Sequence, residues 1–256
     1  MNKNLIRSRF GKHLNDYNEN AKIQRKMAEK LISLCGRKKY DNILEIGCGT
    51  GLLTEFISKN IEFENYTAID LVEDCEPFIK KIDERILFIA EDIESFESAP
   101  CNPSPCPLPQ GARDKEAYDL IISNAALQWT KDFEAVVKKL KNMLAKNGEL
   151  ILSTFGTENF REIFYIIGTS LKYYSENELR EMFPDFEIYP PEIHIMSFPS
   201  PKDVLKHLQL TGVNSVEDRA WTKKDLKSFE NTYSSLCVKI PTLTYNPIYL
   251  KYPTVG

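Results

Sequence analysis

Apolar positions recur along the chain with two different periods. In "AKIQRKMAEKLISLCG" Ile23, Met27, Leu31 and Leu34 repeat at helical spacing, and Gly36 is placed to stop the helix. From residue 42 the pattern shifts to short, continuous β-rich runs: "NILEIG", "YTAID", "ILFIA", "YDLIIS" and "GELILSTF". Charged segments of helix length, "LLTEFISKNIE" and "EDCEPFIKKID", separate the first runs, and "FEAVVKKLKNML" precedes the fifth. Strands that are apolar throughout have to be covered on both faces, and intervening helices provide that cover. The pattern therefore predicts an α/β fold with a doubly wound, mainly parallel sheet.

Two stretches depart from the alternation. Five prolines fall between Pro100 and Pro109 in "ESAPCNPSPCPLPQGARDKEA", a density that removes backbone donors and excludes helix or central strand. Residues 97–117 are accordingly expected as a semi-rigid surface insertion before the fourth strand. After residue 155 short helical segments ("SENELREMF", "SPKDVLKHLQL", "TKKDLKSFENTYSSL") surround one strand-like run, "FEIYPPEIHIMSF". A last run, "TLTYNPIYLKY", is expected to close the sheet, with Pro247 better suited to an edge than to a centre. The expected organisation is a single domain over residues 1–256: a helical cap over 1–40, a ligand-binding core over 41–155, and substrate-side helices with closing strands over 156–256.

Composition narrows the picture further. With 256 residues, 42% of them hydrophobic, the chain can bury a large core. The start, MNKNLIRSRF, lacks the apolar segment of a signal peptide, and no stretch approaches the roughly 20 apolar residues of a membrane span, so a cytoplasmic protein is expected. Six cysteines without a CxxC pair provide neither a zinc ribbon nor a disulfide framework, and no metal site is readable. The net charge of −4 is uneven: residues 1–40 hold eleven Lys/Arg against three Asp/Glu, or +8, which leaves −12 elsewhere. Such a segment can attract an acidic partner or simply present a solvated helix face.

The candidate chemistry begins at "ILEIGCGTG". A dinucleotide fingerprint spaces its glycines as G-x-G-x-x-G, whereas here Gly47, Gly49 and Gly51 alternate and residue 52 is Leu. Glu45, before the first glycine, puts a carboxylate where a pyrophosphate would be repelled, so a cationic or zwitterionic ligand fits better. In open α/β sheets ligands lie beyond the carboxyl ends of the strands. Asp70 ends "YTAID", nineteen residues after Gly51, where an acid can accept from both ribose hydroxyls; Asp92 follows "ILFIA" and can accept from an exocyclic amine; Asn124 ends the fourth run. Taken singly, an Asp after a strand is often just a turn former or a helix cap.

"ILEIGCGTG" with "AID", "EDI" and "DLIISNAALQW" resembles the class I S-adenosylmethionine-dependent methyltransferases over about residues 40–155. The resemblance narrows to the malonyl-acyl carrier protein O-methyltransferases of biotin synthesis through "RFGKHLNDYNENAKIQRKMAEKL", "SNAALQW", "FGTENFREI", "LTGVNS" and "IPTLTYNPIYL", which span nearly the whole chain. It implies a seven-stranded Rossmann-like sheet with N-terminal and C-terminal lid elements. It also implies S-adenosyl-L-methionine as cofactor, held by Glu45, Gly47, Gly49, Gly51, Asp70, Leu71, Asp92, Ile93 and Asn124, and an acidic malonyl-acyl carrier protein as substrate for a monomeric enzyme. The proline-rich insertion departs from the family pattern.

The implied reaction methylates a free malonyl carboxylate, which is ionised at neutral pH and needs no general base. His13, His194 and His207 all lie outside the cofactor motifs. Arg161 in "GTENFREI" is the first candidate to grip the carboxylate, with a surface helix position as the alternative; Tyr17 is a candidate lid residue, and Gln128 and Trp129 are candidates to shape the transfer channel. Trp129 suits the core equally well. The basic N-terminal segment, and Lys223, Lys224 and Lys227, are the expected contacts for the carrier. Competing readings are a methyltransferase for another carboxylate, a quinone or a phenol, and a non-catalytic binding module. The glycine spacing opposes an NAD-dependent oxidoreductase. Net negative charge, a pI near 5.6 and the lack of an N-P-P-Y-like motif oppose a nucleic-acid methyltransferase or a nucleic-acid partner.

Overall fold

Two helices that the periodicity does not announce open the chain. A computed structural model describes residues 3–97, 117–212, 222–236 and 240–253. In it α1 (Lys3–Gly11) and α2 (Leu14–Asn20) precede α3 (Lys22–Leu34), whose buried stripe includes the expected Ile23, Met27 and Leu31. No residue of α1 is fully buried; Phe10 packs against the small cluster of Leu14, Val72 and Cys75, and the helix borders the cleft described below. The five β-rich runs form β1 (Lys39–Ile46), β2 (Glu62–Asp70), β3 (Leu87–Ala90), β4 (Tyr118–Asn124) and β5 (Leu144–Phe155). The charged segments between them form α4 (Leu52–Asn60), α5 (Glu76–Ile82) and α6 (Phe133–Lys141).

Continuous apolar runs become intelligible once side chains are followed to alternate faces. Ile43, Leu120, Ile122 and Ile151 join a core with α3 and α4, whereas Leu44, Ile46, Ile121, Leu150 and Leu152 join a second core with Val136, Val137 and Leu140 of α6. The sheet is buried on both sides, as the doubly wound reading requires. Its strand order is β3-β2-β1-β4-β5, all parallel, extended by two strands from the C-terminal part. The chain leaves β1 toward one edge and returns to its other side at β4, so the topological switch lies between β1 and β4.

The C-terminal part supplies α7 (Arg161–Ile167), α8 (Glu176–Met182), α9 (Pro201–Leu210) and α10 (Lys223–Leu236), with β6 (Glu187–Tyr189), β7 (His194–Ser197), β8 (Thr242–Tyr245) and β9 (Pro247–Tyr252). Here the sequence reading needs correction. The run "FEIYPPEIHIMSF" is two strands, because Pro190 and Pro191 cannot continue a ladder, and its halves enter different sheets: β6 the large one and β7 a two-stranded ribbon with β8. "TLTYNPIYLKY" divides in the same way at Asn246, whose side chain donates to Glu192 O at 2.8 Å and fastens the crossing point. Pro247 is also not on an edge strand. β9 lies antiparallel between β5 and β6, and Pro247 is tolerated there as the first residue of its strand, opposite Phe155, with its carbonyl accepting from Glu192 N–H at 2.9 Å. Residues 98–116, covering most of the proline-rich stretch with Cys101 and Cys106, lie outside the described residues. Among those described, no helix is long and apolar enough to cross a membrane.

Candidate active site

The cleft opens where the topology puts it, over the carboxyl ends of β1, β2, β3 and β4. Its walls include Glu45, Gly47 and Gly49 at and after the end of β1, Asp70 and Leu71 at the end of β2, Asp92 and Ile93 after β3, and Asn124, Gln128 and Trp129 at and after the end of β4. Tyr17 of α2 completes the set of expected residues found there, edge-on to Phe10 of α1 with 5.0 Å between ring centres.

The three glycines divide between two tasks. Gly47 and Gly49 face the cleft with φ of 69° and 52°, in the left-handed region that an L side chain resists. A Cβ on Gly47 would stand 2.2 Å from the Cβ of Ala126, because the segment after β4 presses directly on the loop. Gly51 does not line the cleft: it sits at the head of α4, where a Cβ would meet Ile82 at 2.3 Å. That glycine lets α4 pack on α5.

Four carboxylates line this end, Glu45, Asp70, Glu91 and Asp92, and three of them are satisfied in different ways. Asp70, 8% exposed, clamps the loop to the turn after β2, accepting from Gly49 N–H and Val72 N–H at 2.8 Å each. Burial pushes its carboxyl above the usual range although those amides favour the charge. Glu45, 1% exposed, accepts from the Thr54 hydroxyl at 2.7 Å and from the Tyr66 hydroxyl. Among the described residues no cation stands beside it, and burial, opposed by those two hydroxyls, pushes its pKa up to about 7. Asp92 is approached by the Lys3 ammonium, which also contacts Glu94. Its partial burial opposes ionisation, but Lys3 and the Glu94 N–H outweigh that and hold its carboxyl below the ordinary value.

Thus part of the basic N-terminal segment points inward. Lys3, Ile6 and Phe10 of α1 line the cleft, and Arg7 Nε donates to Leu71 O at 3.0 Å. Hydropathy alone does not single these residues out, since α1 has a weak apolar face. The cleft also holds two buried amide oxygens, Gln24 Oε1 and Gln128 Oε1, that receive no hydrogen bond. Gln128 is fixed the other way round by Nε2 donating to Ala125 O at 2.6 Å, which leaves its oxygen free for a donor. Unpaired buried acceptors beside four acids suit a ligand that brings ammonium and amine donors. S-adenosyl-L-methionine is such a molecule, and this set of acceptors fits it.

Beyond Tyr17 the cleft becomes aromatic and apolar, lined by Phe155, Phe160, Leu171, Tyr173, Thr211 and Gly212. Phe155, Phe160, Thr211 and Gly212 fall within the family-like segments "FGTENFREI" and "LTGVNS", whereas no motif contains Leu171 or Tyr173. Among the described residues with positive φ other than glycine, Ala125 (50°) and Phe160 (55°) both line the cleft, a strain that the surrounding hydrogen bonds sustain. Phe160 N–H donates to Thr244 O at 2.8 Å, and the Glu162 carboxylate takes Thr244 N–H at 2.9 Å and its hydroxyl at 2.6 Å, pinning α7 to β8. Arg161 opens α7 but lies outside the cleft lining, paired with the exposed Glu158 at 3.1 Å. No histidine lines the cleft: His207 is buried and bonded to the Tyr245 hydroxyl at 2.6 Å, with burial pushing its pKa down to about 4.

A methyltransferase-domain family model matches residues 17–217. The malonyl-[acyl-carrier protein] O-methyltransferase of Chlorobium luteolum is 34% identical, over 96% of this chain and 94% of its own. The chain belongs to the malonyl-[acyl-carrier protein] O-methyltransferase family. A second member, from Calditerrivibrio nitroreducens, is 38% identical over 91% of this chain and 89% of its own. Among solved structures, the YcgJ protein from Bacillus subtilis superposes with a TM-score of 0.61 at 11% identity, covering 88% of this chain and 97% of that one, and shares the fold.

Proposed function

We propose that the chain is an S-adenosyl-L-methionine-dependent O-methyltransferase acting on the free carboxylate of a malonyl thioester carried by acyl carrier protein, which masks the acid as a methyl ester for biotin synthesis. The observation that carries this reading is a cleft with two chemically distinct ends in a chain similar over almost its full length to enzymes of that name. When bound, S-adenosyl-L-methionine supplies an electrophilic methyl group whose transfer to a carboxylate oxygen leaves an ester and a neutral thioether, with no proton to remove.

The chain's own residues suit that chemistry. Asp70 and Asp92 would take the ribose hydroxyls and the adenine amine, the latter requiring Lys3 to give way. Glu45 and the free oxygens of Gln24 and Gln128 would face the ammonium and the sulfonium. The malonyl group would occupy the aromatic end, where walls such as Phe155, Phe160 and Leu171 exclude water from reactants whose charges cancel as they combine. The absence of histidine from the cleft lining is compatible with a nucleophile that is already ionised. Exposed Lys223, Lys224 and Lys227 on α10 are available to an acidic carrier.

Methyl transfer from labelled cofactor tests the proposal, with malonyl-acyl carrier protein, malonyl-coenzyme A and free malonate as acceptors. Ester formation on the malonyl thioesters, fastest on the carrier protein, is expected. Transfer only to phenols, quinones or unrelated acids would overturn it.

A further inference from the structure

The acyl end of the cleft contains a hydroxyl whose oxygen is fixed by a donor and whose proton is left for another partner. Asn159, 2% exposed, has its side-chain oxygen occupied: Asn246 N–H donates to Oδ1 at 3.2 Å. Its Nδ2 therefore faces the Tyr173 hydroxyl, at 2.9 Å. An amide N–H can only donate, so the phenol oxygen accepts that bond and keeps its own proton for another partner. Among the described residues no acceptor takes it, and Tyr173 lines the cleft with Phe160 and Leu171.

Asn159 is itself held on the backbone. Its N–H donates to Gly156 O at 3.1 Å, and Gly156 N–H donates to Asn246 O at 2.7 Å. Asn246 Oδ1 accepts from Glu158 N–H at 3.1 Å, which closes a lattice joining the turn after β5 to the β8–β9 crossing. The other hydroxyls at this end are placed differently: Thr211 donates its proton to His207 O at 2.9 Å, and no described residue orients that of Tyr17.

We propose that Tyr173, oriented by Asn159, donates the hydrogen bond that receives the carboxylate of the acyl substrate. This assignment rests on the malonyl-thioester reading above. A buried carboxylate needs a donor, and a neutral one suits this reaction better than a cation. An arginine bonded to both oxygens would stabilise a charge that methyl transfer has to discharge, deepening the ground state more than the transition state. A single phenol holds one oxygen and leaves the other to react. Arg161, outside the cleft lining and paired with Glu158, is not needed for that purpose. Asn159 is a positioning residue, acting only through Tyr173.

The full-length protein is assayed first with malonyl-acyl carrier protein; lack of any malonyl ester there would remove the parent reading and this one with it. With activity established, Tyr173→Phe keeps the ring and loses only the hydroxyl. Its kcat/KM for the malonyl carrier should fall about 10- to 100-fold, chiefly through KM, with S-adenosylhomocysteine affinity by calorimetry unchanged. Affinity for the methyl ester product, which has no carboxylate, should also be unchanged. Asn159→Asp keeps the acceptor for Asn246 N–H but takes the phenol proton for itself, so it should reproduce the loss and add nothing when combined with Tyr173→Phe. Wild-type kinetics in Tyr173→Phe, or equal weakening of carboxylate and ester binding, would overturn the assignment.

Discussion

Glu45 and Glu149 are both 1% exposed, they sit two residue levels apart across the same sheet, and their circumstances are opposite. Glu149, near the amino ends of the strands, has Lys251 Nζ at 3.1 Å, Gly36 N–H at 3.1 Å and the Tyr40 hydroxyl. Glu45, at the carboxyl end of β1, has two hydroxyls and no cation. A buried acid whose charge is answered inside the protein is part of the scaffold. One left unanswered beside a cleft is kept in a costly state, and what answers it has to arrive from outside. The sheet thus answers one of its two buried acids from within and leaves the other to a ligand.

The sharpest way to break this contrast is to remove each acid in turn. Glu149→Ala leaves Lys251 and the Tyr40 hydroxyl without their partner and should cost about 3–5 kcal/mol in urea unfolding, with activity per folded molecule retained. Glu45→Gln should do the reverse. Above pH 7 it should stabilise the protein by about 1–3 kcal/mol, because a carboxyl raised to about 7 in the fold from about 4.5 unfolded opposes folding once it ionises. The same change should weaken S-adenosylmethionine binding by about tenfold or more, measured by calorimetry. Loss of stability together with unchanged binding would show that Glu45 belongs to the scaffold after all.

A smaller effect follows from the same group. Its folded pKa lies above the unfolded one, so its contribution to stability is complete below about pH 4.5 and declines as pH rises through about 7. For a cationic ligand the sign is opposite: affinity should improve as pH rises through about 7, by at most about tenfold per pH unit, and binding near pH 7 should release a proton. Calorimetry in buffers of different ionisation enthalpy reads that proton, and Glu45→Gln should abolish it. The smallest effect is expected at Arg161. Its exposed pair with Glu158 should be worth under about 0.5 kcal/mol, and Arg161→Ala should leave kcat/KM for the malonyl carrier within about twofold. A larger loss would bring Arg161 back as the anion-gripping residue.

Legibility in the sequence follows the same division of the molecule. At the cofactor end, strand, glycine loop and acid are contiguous in the chain, so Gly47, Gly49, Asp70, Asp92 and Asn124 could be picked out from order and spacing. Gly51 belongs to the same motif yet serves helix packing, a distinction that spacing cannot make. At the acyl end, Tyr173 owes its character to an asparagine fourteen positions earlier in the chain, which is in turn set by a main-chain N–H at residue 246. No period or motif records such a relation. Arg161 has the right chemistry in a suggestive segment, and the structure places it at the start of α7, outside the cleft lining and paired with Glu158, the surface helix position that the sequence left open.

The chain's order of apolar runs and charged helices, its alternating glycines and its strand-ending acids were enough to determine a doubly wound sheet and the ligand end of its cleft, because those features depend on neighbours close in sequence. Tertiary structure alone decided that β9 threads inside the sheet, that Lys3 reaches Asp92, and which hydroxyl keeps its proton for a substrate. Each of these depends on donors and acceptors brought together from distant segments, and a hydrogen bond is assigned only when both partners are in place.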